Sequence, residues 1–342
     1  MKETKLVFGV VGLVMGRRQL KAAIAKGFEI GGICDCNPST LKIAGDECGV
    51  PEEKRFLDYK ELVKNPEINA VVIATPDQLH RTMVEEFLEA GKHVLCEKPL
   101  AITREDLNAI VAAEKKSDKI CMVGQIARFS PAFAKAKELV DTGVIGELYY
   151  VESEYAHDYM RIMSGVSEWR RDPARHGVIG GGCHAVDLLR WIAGDPIEVF
   201  AYGVHKLLPM VDYDDATISV LKFPNNVIGK VFVSTGCKRD YTMRTVLYGT
   251  KGTIICANHH GIVELFTTDE QGVTKMPAEQ IVVEVKDHNA DGEVDAFVDA
   301  IFERAPFTMS AEEGAKTVAA CMAIVESAKA GGKTVIPDYK FC

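Results

Sequence analysis

The stretch from residue 70 to 100, AVVIATPDQLHRTMVEEFLEAGKHVLCEKPL, constrains the fold more than any other part of the chain. It opens on an unbroken apolar run, Ala70 to Ala74, short enough for a strand and without the alternation of a half-solvated one, so it reads as a strand buried on both faces. Thr75-Pro76-Asp77 ends the run, because proline cannot continue a central strand, and Asp77 stands where an N-cap belongs. Met83, Val84, Phe87 and Leu88 then recur at helical spacing as far as Ala90, and Gly91 stops the helix. His93 to Cys96 is a second buried strand, which carries Glu97-Lys98-Pro99 to its C-terminal end. In an open parallel sheet that end is where ligands bind, so a lysine arrives on a rigid element where chemistry is usually done.

The residues before this stretch repeat the alternation. Residues 5–11 read as a strand, GLVMGRRQLKAAIAK as a glycine turn opening a helix, and Glu29 to Cys34 as a strand ending in Asp35. Strand, glycine turn, helix, strand and acid, with the acid roughly 20 residues past the turn, is the layout of a dinucleotide-binding unit. A carboxylate at Asp35 accepts both hydroxyls of an adenosine ribose and repels a 2′-phosphate, which favours NAD over NADP; the alternative is a strand-end turn residue with Asn37-Pro38. The glycine motif is imperfect. Gly12, Val14, Met15 and Gly16 span one residue fewer than G-x-G-x-x-G, and Val14 stands where a second glycine would let the backbone approach a pyrophosphate. Arg17 and Arg18 are either phosphate-reaching groups or a solvated helix face. Beyond, Arg55-Phe56 reads as a short strand, Thr103 to Ser117 as a helix with Thr103 and Asp106 at capping spacing, and Lys119 to Val123 as a strand. The simplest fold for residues 1–123 is a doubly wound, mainly parallel sheet.

Residues 124–342 read as a second domain. After a helix from Pro131 to Thr142 the chain turns β-rich, which predicts a mainly antiparallel sheet open on one face, with helices near 182–193, 294–303 and 311–330. The formal net charge of −9 argues against a nucleic-acid partner. No apolar run approaches the roughly 20 residues that span a bilayer. The opening MKETKLVFGVVG runs into a strand with no cleavage pattern, so a cytoplasmic location is expected. Ten cysteines include no C-x-x-C pair; free thiols in a reducing compartment are expected, and no metal site.

Taken together, AVVIATPDQLH, EAGKHVLCEKPLA, GQIARFSPAF, IGELYYVESEY, Trp169-Arg170 and HAVDLLRW, in this order, resemble the Gfo/Idh/MocA family of oxidoreductases. The resemblance implies an N-terminal Rossmann domain, a C-terminal α/β domain whose open sheet makes homodimer or homotetramer contacts, NAD between the domains, and a sugar, glycoside or cyclitol as substrate. It implies that Lys98 donates or accepts a proton at the substrate, with Glu97 the acid beside it and Pro99 the bend. Thr75, Pro76 and His80 match the cofactor-lining segment, and Gln125 and Arg128 the segment after the sixth strand. His184 matches the substrate histidine and Asp187 the acid one turn further on.

One departure stands out. Dehydrogenases of this family carry D-x-G-x-H, and here the position four before His184 is Gly180. Tyr155, His157, Asp158, Arg161 and His176 are the substrate-loop candidates, some of which would replace that carboxylate, and Trp169 with Arg170 would stack on a sugar face. The leading expectation is NAD-dependent hydride transfer at a secondary alcohol, with Lys98 and His184 as the acid–base pair. A redox-neutral glycosidase or glycoside lyase working by transient C3 oxidation, and a non-catalytic sugar or NAD sensor, are the alternatives.

Overall fold

The computed structural model describes residues 5–165, 168–286 and 288–342. In the first part, β1 (Val7–Val11), α1 (Arg17–Ala25), β2 (Glu29–Cys34), α2 (Pro38–Glu47), β3 (Arg55–Phe56), α3 (Lys60–Lys64), β4 (Ala70–Ile73), α4 (His80–Glu89), β5 (His93–Glu97), α5 (Arg104–Lys116) and β6 (Cys121–Gly124) alternate as the sequence predicts. The six strands form one sheet in the order β3-β2-β1-β4-β5-β6, and every pair is parallel. Strand direction of winding therefore reverses between β1 and β4, the switch point at which such sheets bind ligands.

Local chemistry accounts for the helix ends. Asn37 accepts from the amides of Ser39 and Thr40 at 2.9 and 3.2 Å, with Pro38 in the first turn of α2. Thr103 accepts from the Asp106 amide at 3.1 Å and donates to its carboxylate at 2.7 Å. Asp77 is not the N-cap expected of it. Leu79 donates back to the Pro76 carbonyl at 2.9 Å, a tight turn forms over Asp77–Leu79, and α4 starts only at His80. Met83, Val84, Phe87 and Leu88 bury the predicted face of α4, each side chain contributing about 1.5–3 kcal/mol of transfer free energy.

The second part contains α6 (Pro131–Asp141), β7 (Leu148–Ala156), α7 (Met160–Gly165) and α8 (Cys183–Ala193). Seven strands follow: β8 (Glu198–Val204), β9 (Ala216–Lys222), β10 (Ile228–Ser234), β11 (Thr242–Gly249), β12 (Gly252–Ala257), β13 (Ile262–Thr267) and β14 (Glu279–Val282). With β7 they make an eight-stranded sheet, β14-β13-β12-β11-β7-β10-β9-β8. It is antiparallel except at its centre, where β7 and β10 run parallel. Thr217, Ser219 and Leu221 are buried, whereas Ile218, Val220, Tyr202, Val204 and Ile228 stand exposed, so one face is open as predicted.

Two helices close the chain, α9 (Ala290–Ile301) and α10 (Ala311–Lys329). The sequence assigned all of 124–342 to the second domain. By packing, one unit is Met1–Gln125 with Ala290–Ala315 and Lys340–Cys342, and the other is Ile126–Asn289 with Lys316–Tyr339. The cause is the apolar face of α9: Phe297 sits edge-on to Phe8 of β1 at 6.2 Å, and the strand-like segment after α9 bonds to β6, Val123 donating to the Met309 carbonyl at 2.9 Å. All ten cysteines are free, six of them buried. Among the described residues no helix is long and apolar enough to cross a membrane, and no cluster of metal-ligating side chains forms.

Candidate functional site

In the first unit the candidate residues lie on the loops that follow β1, β2, β4 and β5. Gly12 follows β1 with φ +85°, and a Cβ there would stand 2.4 Å from the Ala74 carbonyl oxygen. A Cβ on Gly16 would stand 2.6 Å from the Gly12 oxygen, so both glycines are required for the turn to close against β4. Asp35 braces the same turn: one carboxylate oxygen accepts from the Leu13 amide and the other from the Asn37 amide, each at 2.9 Å. The amides of Val14 and Met15, at the head of α1, have no hydrogen-bond partner among the described residues. Val14 is 61% exposed. Two open amides at a helix N-terminus, a glycine cradle and a carboxylate at the end of β2 fit the pyrophosphate and ribose of a dinucleotide. Arg17 is engaged with Glu47 at 3.0 Å.

His80, expected to line the cofactor, is fully buried. Its Nδ1 lies 3.0 Å from the Pro99 oxygen and 3.3 Å from the Leu100 oxygen, and its Nε2 lies 3.1 Å from the Thr75 oxygen. The ring is thus a clip between the loops after β4 and β5, with Thr75 and Pro76 on one side and the cis Lys98–Pro99 peptide on the other. The Thr75 hydroxyl faces the Met83 sulfur at 3.6 Å. Gln125 is buried, and its side-chain oxygen has no partner among the described residues.

Behind Lys98 lies a group the sequence did not disclose. Gln19 of α1 donates from one nitrogen to Glu97 and to Glu293 of α9, both at 2.8 Å. The second Glu97 oxygen faces the Lys98 amide at 3.3 Å. Glu293 is completely buried, and burial first, then the neighbouring Glu97 charge, pushes its carboxyl up to about 8; the Gln19 bond and the Lys98 charge pull the other way.

In the second unit His184 is buried in the first turn of α8 and stacks on Tyr155 of β7, with centroids 6.0 Å apart and planes at 26°. The Tyr155 hydroxyl lies 3.2 Å from His157 Nδ1 and 3.0 Å from the Tyr159 hydroxyl. Tyr241 packs on His157 at 4.5 Å and stacks on His288 at 5.9 Å, and His288 meets His184 edge-on at 6.0 Å. Burial drives the Tyr155 phenol far above its ordinary range, so it serves as a hydroxyl donor. Tyr159, Tyr241 and His288 were not legible as site residues. Tyr159 sits just beyond the His157-Asp158 pair, but nothing local marks the other two.

The glycine run before His184 has a steric cause. A Cβ on Gly180 would lie 2.1 Å from a guanidinium nitrogen of Arg175, which is itself buried, and one on Gly181 would lie 2.4 Å from the Tyr159 hydroxyl. The place of the missing aspartate is therefore occupied by an arginine. The other expected site residues are placed as follows. Asp187, expected at the substrate, is fully buried: it takes two bonds of 2.7 Å from Arg128 and one of 2.9 Å from the Thr317 hydroxyl. His176, also expected there, is interior; its Nδ1 accepts from the Val178 amide at 3.2 Å, and its Nε2 lies 3.7 Å from Asp214. Asp158 caps the Met160 amide at 3.0 Å and pairs with Lys238. Trp169 has the guanidiniums of Arg170 and Arg175 over its ring at 4.4 and 4.9 Å. The Arg161 side chain lies outside the described residues.

Comparison with known proteins settles the family. Residues 6–125 match the Gfo/Idh/MocA oxidoreductase family with its NAD-binding Rossmann fold, and residues 133–255 match the Gfo/Idh/MocA C-terminal domain. This chain belongs to the Gfo/Idh/MocA family. It is an NAD-dependent oxidoreductase of that family. The chain is 29% identical to myo-inositol 2-dehydrogenase of Thermotoga maritima, over 70% of this chain and 71% of that protein. It is 30% identical to the uncharacterized oxidoreductase YrbE of Bacillus subtilis, over 70% of each. Among solved structures, a levoglucosan dehydrogenase complex with NADH and levoglucosan superposes with a TM-score of 0.87 at 25% identity, covering 97% of this chain and 99% of that one.

Proposed function

We propose that this enzyme transfers hydride between NAD and a secondary alcohol of a sugar, glycoside or cyclitol, with Lys98 and His184 as the proton-handling groups. The observation that carries this reading is the delivery of Lys98 by β5 to the C-terminal edge of the parallel sheet, on a loop clipped by His80 to the one after β4. The relatives named for inositol and levoglucosan oxidation support the substrate class.

The NAD, held by the Gly12–Gly16 turn and Asp35, supplies hydride capacity when bound. The chain's own residues do the rest. Lys98 takes the hydroxyl proton as the carbinol is oxidised and returns it in the reverse direction. His184, held flat against Tyr155, orients the reacting oxygen, and the Tyr155 and His157 pair offers hydrogen bonds to neighbouring hydroxyls. Open apolar residues on β8, β9 and β10 support self-association through the second sheet, as a homodimer or homotetramer. Ten free thiols support a reducing, cytoplasmic setting.

The test is incubation with NAD and a panel of cyclitols, anhydrosugars and glycosides, following reduced-nicotinamide absorbance alongside product analysis. NADH formed one for one with a keto product is expected. Sugar released from a glycoside with no net NADH would replace this reading with redox-neutral cleavage, and NAD binding without turnover of any compound would replace it with a sensor. Light scattering of the purified protein reports the self-association.

A further inference from the structure

We propose that Glu293 is a positioning residue for Lys98: it holds one exchangeable proton behind the lysine, tied to Glu97 through the Gln19 amide, and that proton sets the charge Lys98 works against. The proposal rests on the reading of Lys98 as the proton-transfer group.

The geometry comes first. Both hydrogens of the Gln19 amide are committed, one to each carboxyl group at 2.8 Å. Gln19 is 2% exposed and Glu293 is 0% exposed. Two acceptors are then left over in the same buried cluster, the Gln19 side-chain oxygen and the second Glu293 oxygen, and neither has a donor among the described residues. That second Glu293 oxygen lies against the end of β6, 3.0 Å from where a Cβ on Gly124 would stand. An ionised carboxylate with a bare oxygen in a dry interior is costly, and two like charges on one neutral amide add repulsion. A single hydrogen on Glu293 removes both problems, supplying the donor that the cluster lacks.

The charged groups facing Glu293 are few. Glu97 and Lys98 face it from the end of β5. Gln19 is neutral, and on the same pair of helices Lys26 and Asp295 neutralise each other at 2.7 Å. Burial and Glu97 hold the Glu293 proton to mildly alkaline pH. Losing it then adds one negative charge beside Glu97, which stabilises positive charge at the end of β5 and opposes the use of Lys98 as a base in alcohol oxidation. Glu293 in this way links the charge of an interior helix to the pH range in which the lysine accepts a proton.

The test uses the full-length enzyme in the alcohol-oxidation direction. Glu293→Gln fixes the neutral form at equal size, so the alkaline rise of kcat/KM is expected to move to lower pH, with about a threefold to tenfold gain at mid-rise. Infrared difference spectra between mildly acidic and alkaline pH are expected to show a buried carboxylic-acid carbonyl band that Glu293→Gln abolishes. Absence of that band in the wild type overturns the buried Glu293 proton, and a band with an unmoved kcat/KM profile overturns the link to Lys98. Full activity in Lys98→Ala would remove the parent reading instead, and the infrared result would stand apart from it.

Discussion

The two units build their candidate sites in opposite ways. In the first, Gly12, Gly16, Asp35, Thr75, Glu97 and Lys98 all end or follow strands of one parallel sheet, so short motifs suffice to bring them to the same edge. In the second, Tyr155, His157, Tyr241, His288 and His184 come from β7, from β11's approach, from the segment before α9 and from α8. There the residues nearest in sequence to His184 turned inward instead: Asp187 holds Arg128, and His176 packs beside Asp214. A parallel sheet aligns the ends of its strands by construction, whereas the second sheet gathers its cluster from elements far apart in the chain.

The largest expected effect tests whether both regions are chemical at all. Lys98→Ala and His184→Ala are each expected to lower turnover by about two to four orders of magnitude, measured at saturating NAD. A loss confined to one of them would make the other region a recognition surface only.

Asp187→Ala separates scaffold from site. It leaves the Arg128 guanidinium buried without its bidentate partner and is expected to destabilise the fold by about 3–5 kcal/mol, read from denaturant unfolding. Reduced kcat/KM with unchanged stability would return Asp187 to the substrate and break the contrast between the units.

Gly12→Ala sharpens the other side. A β-carbon at positive φ and in collision with the Ala74 oxygen is expected to cost about 1–3 kcal/mol and to weaken NAD binding, measured by calorimetry. Unaltered affinity would detach the turn from the cofactor.

The smallest effect concerns pH. Burial holds the His176 imidazole down to about 4, against an unfolded value of about 6.5. Since the folded state prefers the neutral ring, the stability it contributes is complete above the unfolded value and is lost as pH falls from about 6.5 towards 4. His176→Gln is expected to flatten that part of the stability profile, and an unchanged slope would show that the ring titrates freely.

Some of this was readable without coordinates. The apolar run at 70–74, the helical spacing of Met83 to Leu88 and the capping pair Thr103 and Asp106 each describe a local preference, and each forms as read. Asp77 misled because a proline-led turn forms before the helix does, and the motif position of His80 says nothing of which way the ring is packed. Gly180 was visible as a departure, yet only the packed chain shows that Arg175 fills the space of the absent side chain.

The sequence by itself determined the order of strands and helices, the parallel sheet, the glycine turn and the strand that delivers Lys98, because periodicity and turn chemistry act over a few residues. Only the tertiary structure decided that α9 returns to the first unit, that Gln19 ties Glu97 to Glu293, and that Asp187 holds Arg128 while Tyr155 faces His184. Those outcomes depend on which side chains, more than a hundred positions apart in several cases, are forced out of water together, and no local pattern encodes that.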